Sequence, residues 1–183
     1  MGGPCNDVLV VEDDPDLREV YDRVLSSFYA VSTAGTGADA LDTVTAETDV
    51  VLLDRRLPDM DFDDVLRELK AQCGDCYVAL VTGVEPDFDI IELGIDDYLV
   101  KPVTTEQMRD AVERLCSVAE YDATYQELSQ KRVKRSVLLQ EKPPTELSDS
   151  EEFAQLCAEI ERLEDELDEM VETVSETTRG PEQ

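Results

Sequence analysis

The sequence predicts an α/β protein in which a doubly wound, five-stranded parallel sheet is followed by a helical hairpin or coiled-coil extension. Short apolar runs of strand type alternate with amphipathic helical segments over roughly the first 100 residues. Neither glycine nor proline interrupts residues 103–142, and a regular heptad of apolar residues follows after residue 150. The first pattern is typical of a sheet with helical crossovers, and the second indicates helices that pack along their lengths.

The third apolar run, residues 50–54, is the most informative of the five predicted strands. It is apolar until it ends in Asp54, as expected for a strand buried on both faces of a parallel sheet. We expect right-handed crossovers and the strand order 2-1-3-4-5, because this order brings the polar ends of strands one, three, four and five together. The predicted strands are residues 7–11, 29–34, 50–54, 77–81 and 97–100.

Amphipathic helices are predicted between the strands. Pro15 begins the first, at a position where proline is tolerated. The second and third cover residues 38–46 and 61–71, and a short fourth around residues 88–93 ends at Gly94. The side chains expected to face the core in the first three helices are Leu17, Val20, Tyr21, Val24, Leu25, Ala38, Leu41, Val44 or Thr45, Val65, Leu66 and Leu69.

The C-terminal part predicts two longer helices. Residues 104–107 fit a capping box, so a helix begins there and runs to about residue 142, with a break near 117–124 left open. A turn at 143–149 and a second capping box, Ser148 to Glu151, precede a helix over 150–175. The heptad positions of this last helix are Phe153, Leu156, Ile160, Leu163, Leu167, Met170 and Val174.

Two arrangements of this heptad are possible: an internal antiparallel hairpin or the seam of a dimer. The preceding helix offers a similar series, namely Val118, Tyr121, Tyr125, Leu128, Arg132, Arg135 and Leu139. In a hairpin, the basic residues at 131–135 would lie near acidic residues such as Glu164, Asp165 and Asp168.

The net charge of the chain is extreme. There are 45 acidic and 16 basic side chains, for a net charge of −29, and the acidic excess covers both halves of the sequence. Molar salt shortens the Debye length to about 3 Å and screens this self-repulsion, so we expect a salt-adapted protein. No run of about 18 apolar residues predicts a membrane span, and residues 1–6 lack a signal-peptide pattern. We therefore expect a cytoplasmic location.

The five cysteines do not predict a disulfide framework. Their number is odd, which disfavours the pairing typical of secreted domains. Cys73 and Cys76 form a CxxC motif, but the chain has no histidine and no second such motif to complete a tetrahedral zinc site. We expect these two cysteines to be small residues in a helix–strand turn.

Polar residues stand at the ends of four predicted strands. Glu12 and Asp13 follow the first strand, Asp54 ends the third, Thr82 follows the fourth and Lys101 follows the fifth. Clustered carboxylates cannot all stay ionised without a cation, and an all-oxygen set of ligands selects a hard ion such as Mg²⁺. The sequence therefore predicts a Mg²⁺ site at the carboxyl edge of the sheet.

Short motifs connect this constellation to a known family. They are VVED at 10–13, LD at 53–54 with LP at 57–58, VT at 81–82 and DYLVKP at 97–102. Through these motifs, residues 5–118 resemble the CheY-like receiver domains of two-component response regulators, which have a flavodoxin-like fold. The resemblance implies that Asp54 is the nucleophile that takes a phosphoryl group from a phosphohistidine of a sensor histidine kinase.

The resemblance also implies roles for the residues around Asp54. Asp13, Asp54 and the backbone carbonyl of Arg56 would hold Mg²⁺, with Glu12 acting through water. Catalysis would be limited to Mg²⁺-dependent self-phosphorylation from a phosphodonor and slow autodephosphorylation.

Three further side chains follow the family pattern and one departs from it. Lys101, aimed by a cis peptide bond to Pro102, would contact one phosphoryl oxygen and the Thr82 hydroxyl another. Tyr98 would swing inward as Thr82 moves. Phe62 stands where the family often has glycine, which puts the lifetime of the phosphorylated state in question.

The second half resembles a HalX domain, through residues 114–125 and 151–170, and we expect residues 119–178 to form it. The resemblance does not specify what this domain does. The hypothesis we favour is a phosphorylation-switched helical module for dimerisation or for binding an unidentified downstream protein. A DNA-binding transcriptional regulator is the alternative. It is disfavoured because this half is net negative and shows no compact helix-turn-helix with a basic face. An output enzyme is disfavoured because no nucleophile–base set is found.

Overall fold

The structure, a computed structural model, describes residues 5–83 and 93–178, with side chains described up to residue 171. It divides into two compact units, residues 1–119 and 120–183. The predicted short helix around 88–93 lies almost entirely outside the described residues. Within those residues, no helix combines the length and the apolar character that crossing a membrane requires.

The first unit contains the predicted parallel sheet, in the order β2-β1-β3-β4-β5. The strands are β1 Asp7–Val11, β2 Ala30–Ala34, β3 Val50–Asp54, β4 Tyr77–Thr82 and β5 Asp97–Val100. In the register, Asp54 lies beside Val81, and Thr82 lies beside Val100. The strand order and fold class are confirmed. β2 begins at Ala30 instead of Tyr29, because the Tyr29 amide bonds the Leu25 carbonyl at the end of the preceding helix.

The described helices are α1 Pro15–Leu25, α2 Gly37–Thr43, α3 Phe62–Cys73, α4 Thr105–Glu141, α5 Pro144–Ser148 and α6 Glu151–Thr178. The capping box at the start of α4 is confirmed. The Thr104 amide donates to Gln107 Oε1 at 2.9 Å, and the Gln107 amide donates to Thr104 Oγ1 at 3.1 Å. α4 is unbroken through residues 117–124, which decides the question that the sequence left open there.

Apolar side chains cover both faces of the sheet because neighbouring residues of a strand point to opposite sides. On one face, Leu53 and Leu80 pack with α2 and α3, and on the other, Leu52 packs with α1 and the first part of α4. Core contacts of α4 there include Met108 and Val112. This burial on both faces explains the continuous apolar run of β3.

Two of the predicted core positions, Ala38 and Val20, are wrong. Ala38 is exposed, and Ala40 is buried instead. Of the alternatives Val44 and Thr45, Val44 is the buried one, directly after the end of α2 at Thr43. Val20 is 43% exposed on α1. The apolar face of α1 is narrower than predicted, because Tyr21 and Leu25 are the only side chains of this helix that are buried.

The predicted turn at 143–149 contains the short helix α5, and Ser148 does not cap α6. The Ser148 hydroxyl instead donates to the carbonyl of Thr145. Ser150, the residue directly before α6, accepts a hydrogen bond from the Phe153 amide at 3.1 Å. Helix geometry requires a cap immediately before the first turn, and Ser150 meets this requirement.

Two disulfides correct the expectation for the cysteines. Cys5 is bonded to Cys116, 111 residues away, and Cys73 is bonded to Cys76 at the end of α3. The first pair joins the residues before β1 to α4, a proximity that only the fold creates. Among the described residues, Cys157 is the free cysteine. The odd number therefore reflects two bonds and one free thiol.

In the second unit, α6 packs against α4 as an internal hairpin. Leu128 of α4 is buried with Ile160, Leu163 and Leu167 of α6, and Tyr121, Leu156 and Met170 pack around them. Of the predicted α4 series, Val118 and Tyr125 are exposed, since they lie about 80° and 60° around the helix from Leu128. Leu139, at 56% exposure, is also outside the seam.

Ion pairs flank this hairpin seam. Arg132 contacts the predicted Glu164 at 2.6 Å. Lys131 contacts Glu159, also at 2.6 Å, which the sequence did not identify as its partner. The hydrogen bond and charge of Lys131 lower the pKa of Glu159, and Glu159 in turn raises the pKa of Lys131. Both pairs are partly solvated, so the apolar seam supplies most of the stabilisation.

Gly37→Ala is expected to lower the free energy of unfolding by about 1–3 kcal/mol, as overpacking does in a filled core. A Cβ at Gly37 would lie 2.8 Å from Val65 Cγ2 and 3.1 Å from Met60 Cβ. The matched control is Gly94→Ala, whose Cβ would meet no atom of the described residues within 4 Å. Denaturant unfolding of both variants at fixed KCl measures the difference, and equal stabilities would contradict this packing.

Candidate functional site

The sheet brings four strand ends together at its carboxyl edge. Glu12 directly follows β1, and its amide donates to the carbonyl of Ala34 at 3.0 Å. Asp54 and Thr82 are the last residues of β3 and β4. Lys101 directly follows β5, and its amide donates to the Thr82 carbonyl at 2.7 Å. The backbone alone therefore fixes the relative positions of these four residues.

The side chain of Lys101 lies between two buried carboxylates. Its Nζ is 2.7 Å from Glu12 Oε2 and 2.6 Å from Asp54 Oδ2. Glu12 is 2% exposed and Asp54 5%. A carboxylate removed from water is costly unless it is paired, so the ammonium group is what permits both to be buried here.

The environment shifts the titration of this cluster. Burial raises the pKa of Glu12, and the hydrogen bond and positive charge of Lys101 only partly offset this effect. Burial alone would lower the pKa of Lys101, but its hydrogen bonds to Asp54 and Glu12 and their charges outweigh it, so that pKa is raised. At neutral pH the lysine is therefore firmly cationic.

A third carboxylate makes the site suitable for a cation. Glu12, Asp13 and Asp54 each offer an oxygen, and these three oxygens lie within 4.8 Å of one another. Asp13 is exposed, so the cluster opens to solvent on that side. The Arg56 amide donates to Asp54 Oδ1 at 3.0 Å, which fixes the orientation of this carboxylate. An all-oxygen set with solvent access fits Mg²⁺, which retains several of its waters.

The other predicted site residues lie close to this edge. Thr82 is 1% exposed, and Tyr98 is half-buried against the apolar cluster between the sheet and α3. The peptide bond between Lys101 and Pro102 is cis, as predicted. Phe62, the departure from the family pattern, is the first residue of α3 and is buried in the same cluster.

Sequence reasoning missed Arg18. Its Nη1 donates to the carbonyl of Glu12 at 2.6 Å and lies 3.5 Å from that of Asp13, so it holds the acidic loop in place. A Cβ at Gly35 would lie 3.0 Å from the same Nη1, which shows how closely the neighbouring loop approaches the arginine. A basic residue one turn into the helix that follows an acidic loop is the signal that could have identified it.

Asp59 was also missed. Its two carboxylate oxygens accept the amides of Gly37 at 2.8 Å and Ala38 at 2.9 Å, at the start of α2. The hydrogen bonds from Ala38 and Gly37 lower the pKa of Asp59. This link fastens the segment after Asp54 to the neighbouring helix.

Comparison with protein families identifies both parts of the chain. Residues 8–113 match the response regulator receiver domain, and residues 117–179 match the HalX domain.

Curated relatives resemble the receiver part. A Haloferax volcanii protein whose name places it among transcriptional regulators is 48% identical over 109 residues, 59% of this chain and 19% of that protein. The transcriptional regulatory protein PrrA of Mycobacterium leprae is 36% identical over 113 residues, 59% of this chain and 48% of that protein. The chain thus spans less than half of the length of these two relatives.

Solved structures of receiver domains are similar to the receiver part of the chain. The receiver domain of the sensor histidine kinase PA1611 from Pseudomonas aeruginosa, with magnesium coordinated in its active-site cleft, aligns with a TM-score of 0.54 and 28% identity. The alignment covers 61% of this chain and 97% of that one. The receiver domain of a CheY-like protein from Methanospirillum hungatei, at 23% identity, supports the fold with a TM-score of 0.60 over 64% of this chain and 98% of that one.

Arg18→Ala is expected to weaken Mg²⁺ binding about tenfold, because residues that orient metal ligands typically contribute this much to affinity. Arg23→Ala is the matched control. It removes the same charge from the same helix, but Arg23 is paired only with the exposed Glu19 among the described residues. Calorimetric titration with MgCl₂ measures both variants. The same affinity in the two variants would contradict a role for Arg18 in holding the loop.

Proposed function

The chain belongs to the family of response regulator receiver domains, and from this premise we propose that Asp54 accepts a phosphoryl group from a sensor histidine kinase. The observation that carries the proposal is the buried carboxylate of Asp54, held 2.6 Å from the Lys101 ammonium group at the edge of the sheet. The exposed Asp13 leaves the carboxylate cluster open to solvent on one side, from which a phosphodonor would approach.

The proposed reaction is a direct transfer. One oxygen of Asp54 attacks the phosphorus of a phosphohistidine, the P–N bond breaks, and the imidazole leaves with the electron pair and takes up a proton. Lys101, already hydrogen-bonded to Asp54, is placed to neutralise a phosphoryl oxygen as charge builds up on it. The Arg56 amide keeps the other carboxylate oxygen oriented.

The carboxylate cluster fits the metal that such a transfer requires. Asp13, Asp54 and the carbonyl of Arg56 would hold Mg²⁺, with Glu12 acting through water. The bound ion supplies charge neutralisation at the phosphoryl oxygens during in-line displacement. Lys101 would then exchange part of its contact with Asp54 for a contact with the phosphoryl group. Beyond this self-phosphorylation and a slow autodephosphorylation, no catalytic activity is proposed.

The switch would follow from Thr82 and Tyr98. A phosphoryl group on Asp54 offers an acceptor for the Thr82 hydroxyl, and a shift of this buried side chain would change the space available to Tyr98 on the neighbouring strand. Thr82 lies at the end of β4, and Tyr98 is in β5, which pairs with it. A local change in charge would thus bias a two-state element at the surface of the sheet.

Residues 5–118 would form the receiver domain and residues 119–178 the HalX-like output domain, which dimerises or docks a downstream protein. A DNA-binding output is the second candidate, because relatives include the DNA-binding response regulator MtrA of Mycolicibacterium smegmatis. Against it, Lys131 and Arg132 of the basic segment are engaged by Glu159 and Glu164. Protein–protein output is therefore the function we favour.

Asp54→Asn is expected to abolish phosphorylation by acetyl phosphate in the presence of MgCl₂, because the amide is not a nucleophile for phosphorus. Intact-mass spectrometry measures the added phosphoryl group. Asp42→Asn, a change of the same type at an exposed position on α2, should label like the unmodified protein.

Chelation of Mg²⁺ provides a second control for the same experiment. Without the metal, labelling of the unmodified protein should fall to background.

The outcome that would contradict the assignment is labelling of the Asp54→Asn variant at the rate of the unmodified protein. Asp54 would then not be the acceptor.

A further inference from the structure

The hairpin of the second unit carries a groove of about 700 Å³ between α4, α5 and the start of α6. We name this feature the hairpin groove. Its apolar lining includes Leu138, Leu147, Phe153 and Leu156. Such a volume is large enough to accept several side chains, and an apolar groove open to water is unfavourable unless something covers it.

The α4 side of the hairpin groove exposes two valines one helical turn apart. Val133 is 63% exposed and Val137 is 52% exposed, and both line the groove. Their spacing puts them on the same face of α4. This helix therefore presents an apolar ridge directly beside an apolar depression.

Opposite charges stand on the two sides of the groove. Lys134 lies on the α4 side and Glu152 on the α6 side, whereas Glu146 of α5 is paired within the chain with Lys142 at 3.0 Å. Lys131 and Arg132 are held by acids within the hairpin, whereas Lys134 and Arg135 form no ion pair with any described residue. Of these two, Lys134 lines the groove beside the exposed valines, and an unengaged cation there, in a chain of net charge −29, points to an acidic partner.

We propose that the hairpin groove is covered by the hairpin groove of a second copy of this chain. In a two-fold arrangement, a surface must be complementary to itself. Here, Val133 and Val137 of each copy enter the depression of the other. Lys134 of each copy faces Glu152 of the other. The two-fold axis repeats these contacts, so the valines of both copies are buried and the lysines of both copies are paired.

The composition of the groove selects a second copy over nucleic acid. Phosphate binding would use the cations alone, and it would leave the valines exposed and bring Glu146 and Glu152 toward like charge. A second copy uses the valines, Lys134 and Glu152. Salt also separates the two occupants, because it weakens phosphate contacts while it screens repulsion between acidic chains and favours apolar burial.

The first test is the oligomeric state of the unphosphorylated full chain, measured by sedimentation equilibrium over a series of concentrations in molar KCl. We expect an associated species of twice 20.5 kDa. The double variant Val133→Glu, Val137→Glu should raise the dissociation constant about 100-fold, because it places carboxylates in an apolar contact. Val20→Glu, at a 43% exposed valine on α1, is the matched control and should associate normally.

The second test uses exchange of charge between copies, at about 0.15 M KCl, where the Debye length is about 8 Å. Lys134→Glu alone and Glu152→Lys alone should each associate more weakly than the unmodified chain, since each sets like charges against one another. An equal mixture of the two variants should form a heterodimer, because every contact between unlike copies is then attractive. A contact within one chain could not produce this recovery.

Two outcomes would overturn the proposed dimer. One is a monomer in molar KCl at every concentration. The other is a dimer that persists in the double variant Val133→Glu, Val137→Glu while the helical circular dichroism of the variant is unchanged. Failure of the mixture to associate overturns the pairing of Lys134 with Glu152. Binding to a labelled DNA duplex that Lys134→Glu abolishes and the valine changes preserve assigns the surface to nucleic acid instead. Because no phosphodonor is present, these results are independent of the role proposed for Asp54.

Discussion

The contact of Lys101 with Glu12 and Asp54 is the interaction on which the receiver unit depends. Two carboxylates, each at most 5% exposed, stand at the ends of adjacent strands, and one ammonium group lies within 2.7 Å of both. Burial raises the pKa of Glu12, and the hydrogen bond and positive charge of Lys101 oppose this shift. The lysine therefore supplies the positive charge that two buried carboxylates require.

The sheet makes this contact possible through its connectivity. The order β2-β1-β3-β4-β5 brings together strand ends that are separated by about 40 to 90 residues of sequence. The loops around the site are then fixed by polar side chains that bind backbone groups. Arg18 holds the loop of Glu12 and Asp13, and Asp59 holds the start of α2. The contacts of these two side chains with backbone groups thus fix the loops beside the carboxylate cluster.

In the second unit, two helices of a strongly acidic chain are held together by an apolar seam and by ion pairs beside it. The seam of Leu128, Ile160 and Leu163 is fully apolar, and the basic residues of α4 are placed beside the acids of α6. Lys134, which is not used in this way, remains beside the exposed valines of the hairpin groove. Hairpin formation and association of two hairpins are therefore compatible, and they use different faces of α4.

The sheet, its strand order and the residues at its carboxyl edge could be predicted from the amino-acid pattern alone. A strand that is buried on both faces of a parallel sheet is apolar at every position, as residues 50–53 are. The carboxylate of Asp54 directly after this run can therefore be recognised from the sequence. The capping box of Thr104 and Gln107 was equally visible, because a cap uses residues three positions apart. Local spacing carries information of this kind.

Contacts between distant residues and the phase of short helices could not be predicted in this way, because they depend on how the folded elements pack. The bond between Cys5 and Cys116 spans 111 residues, and the contact of Lys131 with Glu159 depends on how two helices are rotated about their axes. Arg18 became recognisable when its side chain met the carbonyls of Glu12 and Asp13. The periodicity of a sequence predicts which face of a helix or strand is apolar. Which residues that face contacts depends on how the helices and strands pack in the folded chain.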